Sequence, residues 1–158
     1  MAGLSAAQLR PFEALCERMA VGAGATVFVS GDKATHLYII AQGGIDLEMA
    51  LPRRRSKSEL GPPITVGSLG SKEAFGWSAI AAPCVYTMSA TATAECTLLR
   101  MDAVGFRDVL QRDAASGSVV MANLARLLAG RLALTQRRLA QEQYGVIVLP
   151  RTRRRTGS

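Results

Sequence analysis

Histidine and cysteine are scarce in this chain of 158 residues, and their scarcity excludes several kinds of site. His36 is the single histidine, whereas a metal site in a β-fold needs several histidine and carboxylate ligands that converge. The cysteines Cys16, Cys84 and Cys96 are odd in number and widely spaced, which argues against a disulfide framework or an iron–sulfur cluster. We therefore expect no metal and no cofactor, and the reducing cytoplasm as location.

Catalytic and membrane signals are missing as well. Ser78 lies in GWSA and not in a GxSxG nucleophile elbow, and no GxxxxGK phosphate loop occurs. No uncharged apolar run approaches the roughly 20 residues that span a bilayer. The N-terminus, MAGLSAAQLRPFEAL, does not have the pattern of a secretory signal. The sequence predicts a protein that is not an enzyme and has no membrane span.

The formal net charge of +7 is concentrated in two short segments. One is a predicted loop and the other is the C-terminal tail, and their basic residues are Arg53, Arg54, Arg55 and Lys57, and Arg151, Arg153, Arg154 and Arg155. Without these eight, 11 basic residues face 12 acidic ones, so the rest of the chain is nearly neutral. This distribution disfavours a broad nucleic-acid-binding face and leaves association through the loop and tail as an alternative.

Changes in hydrophobic pattern predict the fold. Ser5 can cap a first helix that ends near Gly22, with one apolar side formed by Leu9, Phe12, Leu15, Cys16 and Met19. Short β-type runs follow, separated by turn residues: TVFV, LYIIA, IDLEMAL, ITVGS, YTMSATA and CTLLRM. They predict a mainly β fold with flanking helices, a double-stranded β-helix (jelly roll). LPRRRSKSELGPP is expected to be a charged hairpin loop.

Two helices are expected to close the roll. Asp102 can cap a short one to about Asp113, and Ser116 or Ser118 opens a longer one to about Gln143. Two apolar stripes follow the long helix: Met121, Leu124, Leu128, Leu132 and Leu139, and Val120, Leu127 and Leu134. Such a wide apolar face has two surfaces to cover, so we expect one on the roll and one on a second copy of the chain. The expected dimer residues are Val120, Leu124, Leu127, Leu128 and Leu134. The alternative is a helix that lies wholly on its own domain.

The length fits one domain, which we assign to residues 1–145, followed by a basic, disordered tail over 146–158. Within it, residues 22–43 read GAGATVFVSGDKATHLYIIAQG and resemble the first half of the cyclic nucleotide-binding domain family. The matching positions are Gly24, Phe28, Gly31, Asp32, Ala34, Tyr38, Ile40 and Gly43. The second half continues in order with AFGWSAI, Pro83, YTMSATA and ECTLLRM. The resemblance covers residues 5–143 and is to the sensor domain of the catabolite activator regulators, without a DNA-binding module.

The resemblance implies a site for a cyclic nucleotide, cAMP or cGMP. In the family, backbone N–H groups of a short turn, a hydroxyl and an arginine receive the cyclic phosphate, and a glutamate after Phe-Gly accepts the ribose hydroxyl. Here Trp77 stands in the glutamate's place, Tyr86 in the arginine's, and the hydroxyl survives as Thr87. The implied ligand-binding residues are Phe75, Gly76, Trp77, Ser78, Ala79, Tyr86 and Thr87.

That departure limits what the site can do, since residues 74–94 contain no charged residue at all. Removing one partner of a buried charge pair costs about 2–5 kcal/mol, which weakens binding by more than about tenfold. Arg53 to Arg55 or a basic residue of the long helix can supply the lost charge. Trp77 either lines an altered pocket and stacks on a flat ligand, or fills the pocket as core.

The sequence therefore predicts a non-catalytic regulatory sensor whose divergent pocket binds a cyclic nucleotide weakly or another small ligand. The alternative is a ligand-free pseudo-sensor, a dimeric module that acts on protein partners. Neither the ligand nor the downstream partner can be named from the sequence.

Overall fold

The computed structural model describes residues 5–53 and 56–144, which form three α-helices and eight β-strands. The helices are α1 (Ala6–Glu13), α2 (Ala103–Arg112) and α3 (Ala114–Tyr144). The strands are β1 (Cys16–Val21), β2 (Thr26–Phe28), β3 (His36–Gln42), β4 (Ile45–Arg53), β5 (Ser56–Leu69), β6 (Ala74–Phe75), β7 (Ser89–Ala92) and β8 (Cys96–Asp102). A short 3₁₀ turn, Trp77–Ile80, follows β6.

The strands form two antiparallel sheets, in the orders β1-β8-β3-β6 and β2-β7-β4-β5. In β8, Cys96 and Leu98 are buried and Thr97 between them is less so, as expected when one face of a strand covers a core. The large side chains that are most completely buried include Leu37, Ile40, Ile45, Phe75 and Leu98, contributed by both sheets. The predicted jelly roll with flanking helices is confirmed.

The N-terminal prediction is right at its start and wrong at its end. Ser5 and Gln8 form a reciprocal capping box, so α1 begins where expected, but it ends at Glu13. Cys16 and Met19, predicted on the helix, belong to β1 and pair with Met101 and Leu98 of β8. The helical spacing of apolar residues is overridden because pairing with β8 gives the backbone of this segment a ladder of hydrogen bonds.

The charged segment LPRRRSKSELGPP is mostly strand and not a loop. Ala50 pairs with Pro63, and Pro52 with Leu60, so β4 and β5 continue far into it. Pro62 and Pro63 are tolerated because β5 is an edge strand, and Pro52 lies beyond the part of β4 that pairs with β7, Ile45–Glu48. Arg53 and Lys57 are thus strand residues, whereas Arg54, Arg55 and the predicted tail 146–158 lie outside the described residues.

The junction of the two closing helices depends on two aspartates. Asp102 caps α2 as predicted, since its Oδ2 accepts the N–H of Gly105 at 2.9 Å. The long helix begins at Ala114, before either predicted serine, and Asp113 caps it. Asp113 accepts the backbone N–H of Ser116 at 3.1 Å and also the Ser116 hydroxyl. These hydrogen bonds lower the pKa of the Asp113 carboxyl.

The two apolar faces of α3 meet different surroundings. Val120 and Leu124 are only 4% and 7% exposed, so these two predicted dimer residues are buried within the domain itself. Met121, Leu132 and Leu139 are each about half exposed on the outer side. Over Ala114–Gln141 the helix is long and apolar enough, with mean hydropathy 1.2, to cross a membrane. That is a weak sign by itself, because a helix that closes a domain passes the same test.

Candidate functional site

A cavity of about 720 Å³ lies between the roll and α3. Its walls come from β4, β5, the segment 73–78, residues 86–88 and the inner face of α3. Of the implied ligand-binding residues, six line it: Phe75, Gly76, Trp77, Ser78, Tyr86 and Thr87. The seventh, Ala79, is fully buried outside the described wall, and its carbonyl accepts a hydrogen bond from Arg107 Nη1 of α2 at 2.8 Å.

The turn that forms one end of the cavity is fixed by a glycine and by aromatic packing. Gly76 has φ +81°, and a Cβ there would stand 2.9 Å from the carbonyl oxygen of His36. Phe75 is buried, with its ring centroid 5.0 Å from that of Tyr38 and 5.9 Å from that of Phe28. Core packing therefore sets the position of the 3₁₀ turn Trp77–Ile80.

Trp77 is part of the wall and does not fill the cavity. Its indole is half-buried against the core, and its Nε1–H donates to the carbonyl of Ala74 at 3.2 Å. A void remains beside the ring. Each of the two interpretations of Trp77 from the sequence is therefore partly right, because the ring packs on the core and also borders the cavity.

Tyr86 is locked into the core at the position where the resemblance puts an arginine. Its ring stacks on Phe28, with centroids 3.7 Å apart and planes at 7°, and only 4% of the residue is exposed. Its hydroxyl donates to the carbonyl of His36 at 2.9 Å and accepts the N–H of the same residue at 3.3 Å. Thr87, in contrast, is exposed at the cavity rim. Burial, followed by the proximity of Tyr86, raises the pKa of Tyr38 far above its usual range, so the Tyr38 phenol stays neutral.

Positive charge enters the cavity from α3. Arg131 is 27% exposed, and its Nη2 donates to the carbonyl of Ala74 at 2.6 Å and stands 4.0 Å from Glu73 Oε1. Burial lowers the pKa of this guanidinium, and Glu73 partly offsets the shift. At this shifted value an arginine is still a cation near neutral pH, since its ordinary pKa is so high. The cationic side chain therefore comes from α3. The described strand residues that line the cavity include no basic side chain.

Arg138 lines the same cavity one heptad further on, and its Nη1 lies 3.5 Å from the carbonyl of Val66. The sequence contained a signal for both arginines. Leu124, Arg131 and Arg138 are seven residues apart, so they share one face of a helix, and the buried Leu124 shows that this face covers the domain. The sequence analysis allowed a basic residue of the long helix to reach in but did not identify which one.

The groups that line the cavity can bind and orient a ligand and can shield it from water. Among the described residues, no group of three or more His, Cys, Asp or Glu side chains could hold a metal ion. The His36 ring pairs with the Thr35 hydroxyl at 2.9 Å. The arrangement offers a void bordered both by aromatic side chains and by guanidinium groups.

Two four-stranded antiparallel sheets with a pocket under a closing helix define a β-roll of the double-stranded β-helix class. Residues 18–113 match the family model described as cyclic nucleotide-binding domain. The match spans more than half of the chain, which therefore belongs to the cyclic nucleotide-binding domain family. Domains of this family are typically regulatory and non-catalytic.

Solved structures share this fold. A Geobacter metallireducens protein described as a cyclic nucleotide-binding protein is 26% identical, with TM-score 0.68 over 84% of this chain and 90% of that one. A cyclic nucleotide-binding domain from Methylobacillus flagellatus is 16% identical, with TM-score 0.79 over 94% and 80%. The Thermus thermophilus catabolite activator protein is 24% identical, with TM-score 0.69 over 89% of this chain and 61% of its own. No curated protein matches the chain.

Proposed function

We propose that this chain is a non-catalytic sensor domain, comprising residues 1–145, that binds a small anionic ligand in the cavity under α3. The observation that carries the proposal is the half-buried guanidinium of Arg131, which faces a void of about 720 Å³. A cation held away from water beside an unfilled cavity is suited to an anionic partner.

A cyclic nucleotide is the first candidate, because family membership makes it the expected ligand. Its phosphate would lie near the backbone of Gly76, Trp77 and Ser78, with Thr87 at the rim. The charge that Tyr86 does not supply would come from Arg131 or Arg138. Since neither arginine belongs to the turn, we expect weaker binding than a site with its own arginine gives.

Ligand binding would act on the position of α3. Arg131 holds Ala74 and approaches Glu73, so an anion that takes over the guanidinium competes with both contacts. The helix then has two arrangements, one held by the turn and one held by the ligand. A downstream protein partner would detect the difference.

A second copy of the chain is the proposed partner for the outer face of α3. Met121, Leu128, Leu132 and Leu139 follow each other at heptad-like spacings of seven and four residues and are about half exposed. Leu128 also borders the cavity, as does the predicted dimer residue Leu134, whereas Leu127 is half-buried. Such spacing suits a parallel helix pair.

The three free cysteines accord with a cytoplasmic location.

Titration of the full chain with cAMP, cGMP and cyclic di-GMP tests the proposal. Trp77 is the single tryptophan and lies in the cavity wall, so its emission reports on the site while calorimetry gives the stoichiometry. We expect saturable binding of one ligand per chain that weakens in Arg131→Gln. Arg137→Gln, an exposed arginine of the same helix that does not line the described cavity, is the matched control.

A ligand-free pseudo-sensor is the second candidate, and one observation favours it. The Trp77 Nε1–H and the Tyr86 hydroxyl already have partners within the protein, so neither needs a ligand. A folded dimer that gives flat titrations with the nucleotides and with the amphipathic anions described below would establish this alternative. Nucleic-acid association gains no support, because most of the arginines it needs lie outside the described residues.

A further inference from the structure

We infer that the cavity selects an amphipathic monoanion, a carboxylate with an apolar acyl or aryl body, in preference to a cyclic nucleotide. The inference rests on the proposed function and names the ligand class of the same site. It follows from how apolar surface, neutral polar groups and charges are distributed over the walls.

The walls that the roll contributes to the cavity are mostly apolar. Among the lining residues that β2, β4, β5, β6 and the segment before β7 contribute, Ser68 and Thr87 are the hydroxyl-bearing exceptions beside Tyr86. The apolar ones are Phe28, Leu47, Met49, Ile64, Val66, Leu69, Phe75 and Met88. Trp77 and Tyr86 border the same space, and the polar atoms of both side chains are engaged with the backbone of Ala74 and His36. A ligand therefore meets ring faces and aliphatic groups there.

The cations of the cavity come from α3. This helix contributes Arg131, Arg138 and the hydroxyl of Thr135 beside Leu128 and Leu134, and Glu73 is the one carboxylate among the described lining residues. The excess is a single positive charge, which matches a monoanion. Arg131 has five N–H donors, so the contact with Ala74 leaves it the geometry for a bidentate carboxylate.

A nucleotide fits this distribution poorly. Its ribose and base carry several donors and acceptors that lose water on entry, and a mostly apolar wall offers them few replacements. An acyl or aryl body has no such groups, and its burial against the same wall is favourable. The void is also large enough for such a body, since it is within the range of small-molecule sites.

Calorimetric titration of the full chain with decanoate, decanol, decyltrimethylammonium and cAMP tests the inference. We expect decanoate to bind one per chain with a change in Trp77 emission, decanol to bind at least about tenfold more weakly, and the cation not to bind. Arg131→Gln and Arg138→Gln should each weaken decanoate by about tenfold or more and leave decanol unchanged. Two arginines are tested so that misfolding of one variant leaves the other informative.

Two controls locate the binding. Arg137→Gln should keep the affinity for decanoate. Leu132→Gln removes apolar surface from the exposed face of α3, where Leu132 is 59% exposed, and should match the wild-type affinity when both are titrated at concentrations that keep the chain monomeric. Loss of binding in Leu132→Gln with no change in Trp77 emission would place decanoate on the outer face and overturn the inference.

The other outcomes separate this inference from the proposed function. Binding of cAMP more tightly than decanoate, with loss in Arg131→Gln, would overturn the inference and uphold the sensor. Equal binding of decanoate and decanol would overturn it by showing that charge is not selected. Flat titrations with all four compounds would overturn both.

Discussion

The hydroxyl of Tyr86 donates to the carbonyl of His36 at 2.9 Å and accepts the N–H of the same residue at 3.3 Å. The pair ties the segment before β7 to the start of β3, 50 residues earlier in the chain. Stacking on Phe28 holds the ring in the same place. The family resemblance puts a ligand-binding arginine at this position. In this chain the position holds a tyrosine whose hydroxyl already forms hydrogen bonds within the domain.

Tyr86→Phe should lower the free energy of unfolding by about 1–3 kcal/mol, because the His36 backbone groups lose a buried partner. Ligand affinity should change little, since the ring stays stacked on Phe28. Urea unfolding measures the first effect and calorimetry the second. Thr87→Val, at the exposed rim, is the control and should leave stability within about 0.5 kcal/mol. Unchanged stability in Tyr86→Phe would contradict the structural role.

Trp77→Ala should cost about 1.5–2.5 kcal/mol, roughly half of the 3–5 kcal/mol typical of a fully buried tryptophan, because the indole is half-buried. Trp77→Phe loses the hydrogen bond to Ala74 but keeps an aromatic wall, so it should cost less and retain ligand binding. Urea denaturation and titration distinguish these effects. A loss of the full amount in Trp77→Ala, with no effect on any titration, would favour the pseudo-sensor.

Gly76→Ala should destabilise the protein more than Gly24→Ala. Both glycines have positive φ, +81° and +76°, so each alanine carries backbone strain of about 1–2 kcal/mol. Only at Gly76 would the new Cβ also meet the carbonyl oxygen of His36, at 2.9 Å. Thermal unfolding of the two variants isolates the contact. Equal midpoints would mean that the turn shifts without cost.

Leu132→Glu should dissociate the proposed dimer, because it places a charge in the centre of the exposed face of α3. Arg126→Glu introduces the same residue five positions, or about 140°, around the same helix from Met121 and should leave the dimer intact. Sedimentation over a concentration series measures both. A wild-type chain that stays monomeric at all concentrations would remove the dimer from the proposal.

Asp113→Asn tests the start of α3 through its pH dependence. Hydrogen bonds from Ser116 lower the pKa of Asp113 in the folded protein below the ordinary 3.8. The carboxylate therefore contributes its stability fully above that value and loses it as pH falls through the lower folded pKa. Wild type should unfold at a higher temperature than Asp113→Asn near neutrality, and the gap should close in acid. A gap that persists in acid would mean that the charge is not the cause.

Local turn chemistry made much of the fold predictable. Gly31 and Gly43, two of the positions that carry the family resemblance, have φ +95° and +96°, a backbone conformation that glycine adopts readily. Asp102 was expected to cap α2 and does so. Each of these features depends on the residue's own conformation or on neighbours within one turn, which a single sequence records.

Features set by distant partners were missed. Cys16–Val21 continues a helical apolar spacing and becomes a strand only because β8 pairs with it. The same limit applies to the site. That Arg131 faces the cavity depends on how α3 is rotated against the roll, and the burial of Val120 and Leu124 sets that rotation. The sequence shows that α3 has more than one apolar stripe, but it does not show which stripe packs against the roll.

The carbonyl oxygen of Ala74 accepts from both Trp77 Nε1 at 3.2 Å and Arg131 Nη2 at 2.6 Å. One atom thus joins the turn of the proposed ligand site to the helix that carries the proposed dimer face. If an anion draws Arg131 away, the resulting change in dimer affinity must be mirrored by an equal factor in ligand affinity on dimerisation. Dilution of the protein would then alter its apparent dissociation constant for the ligand, so the chain would respond to its own abundance as well as to the ligand.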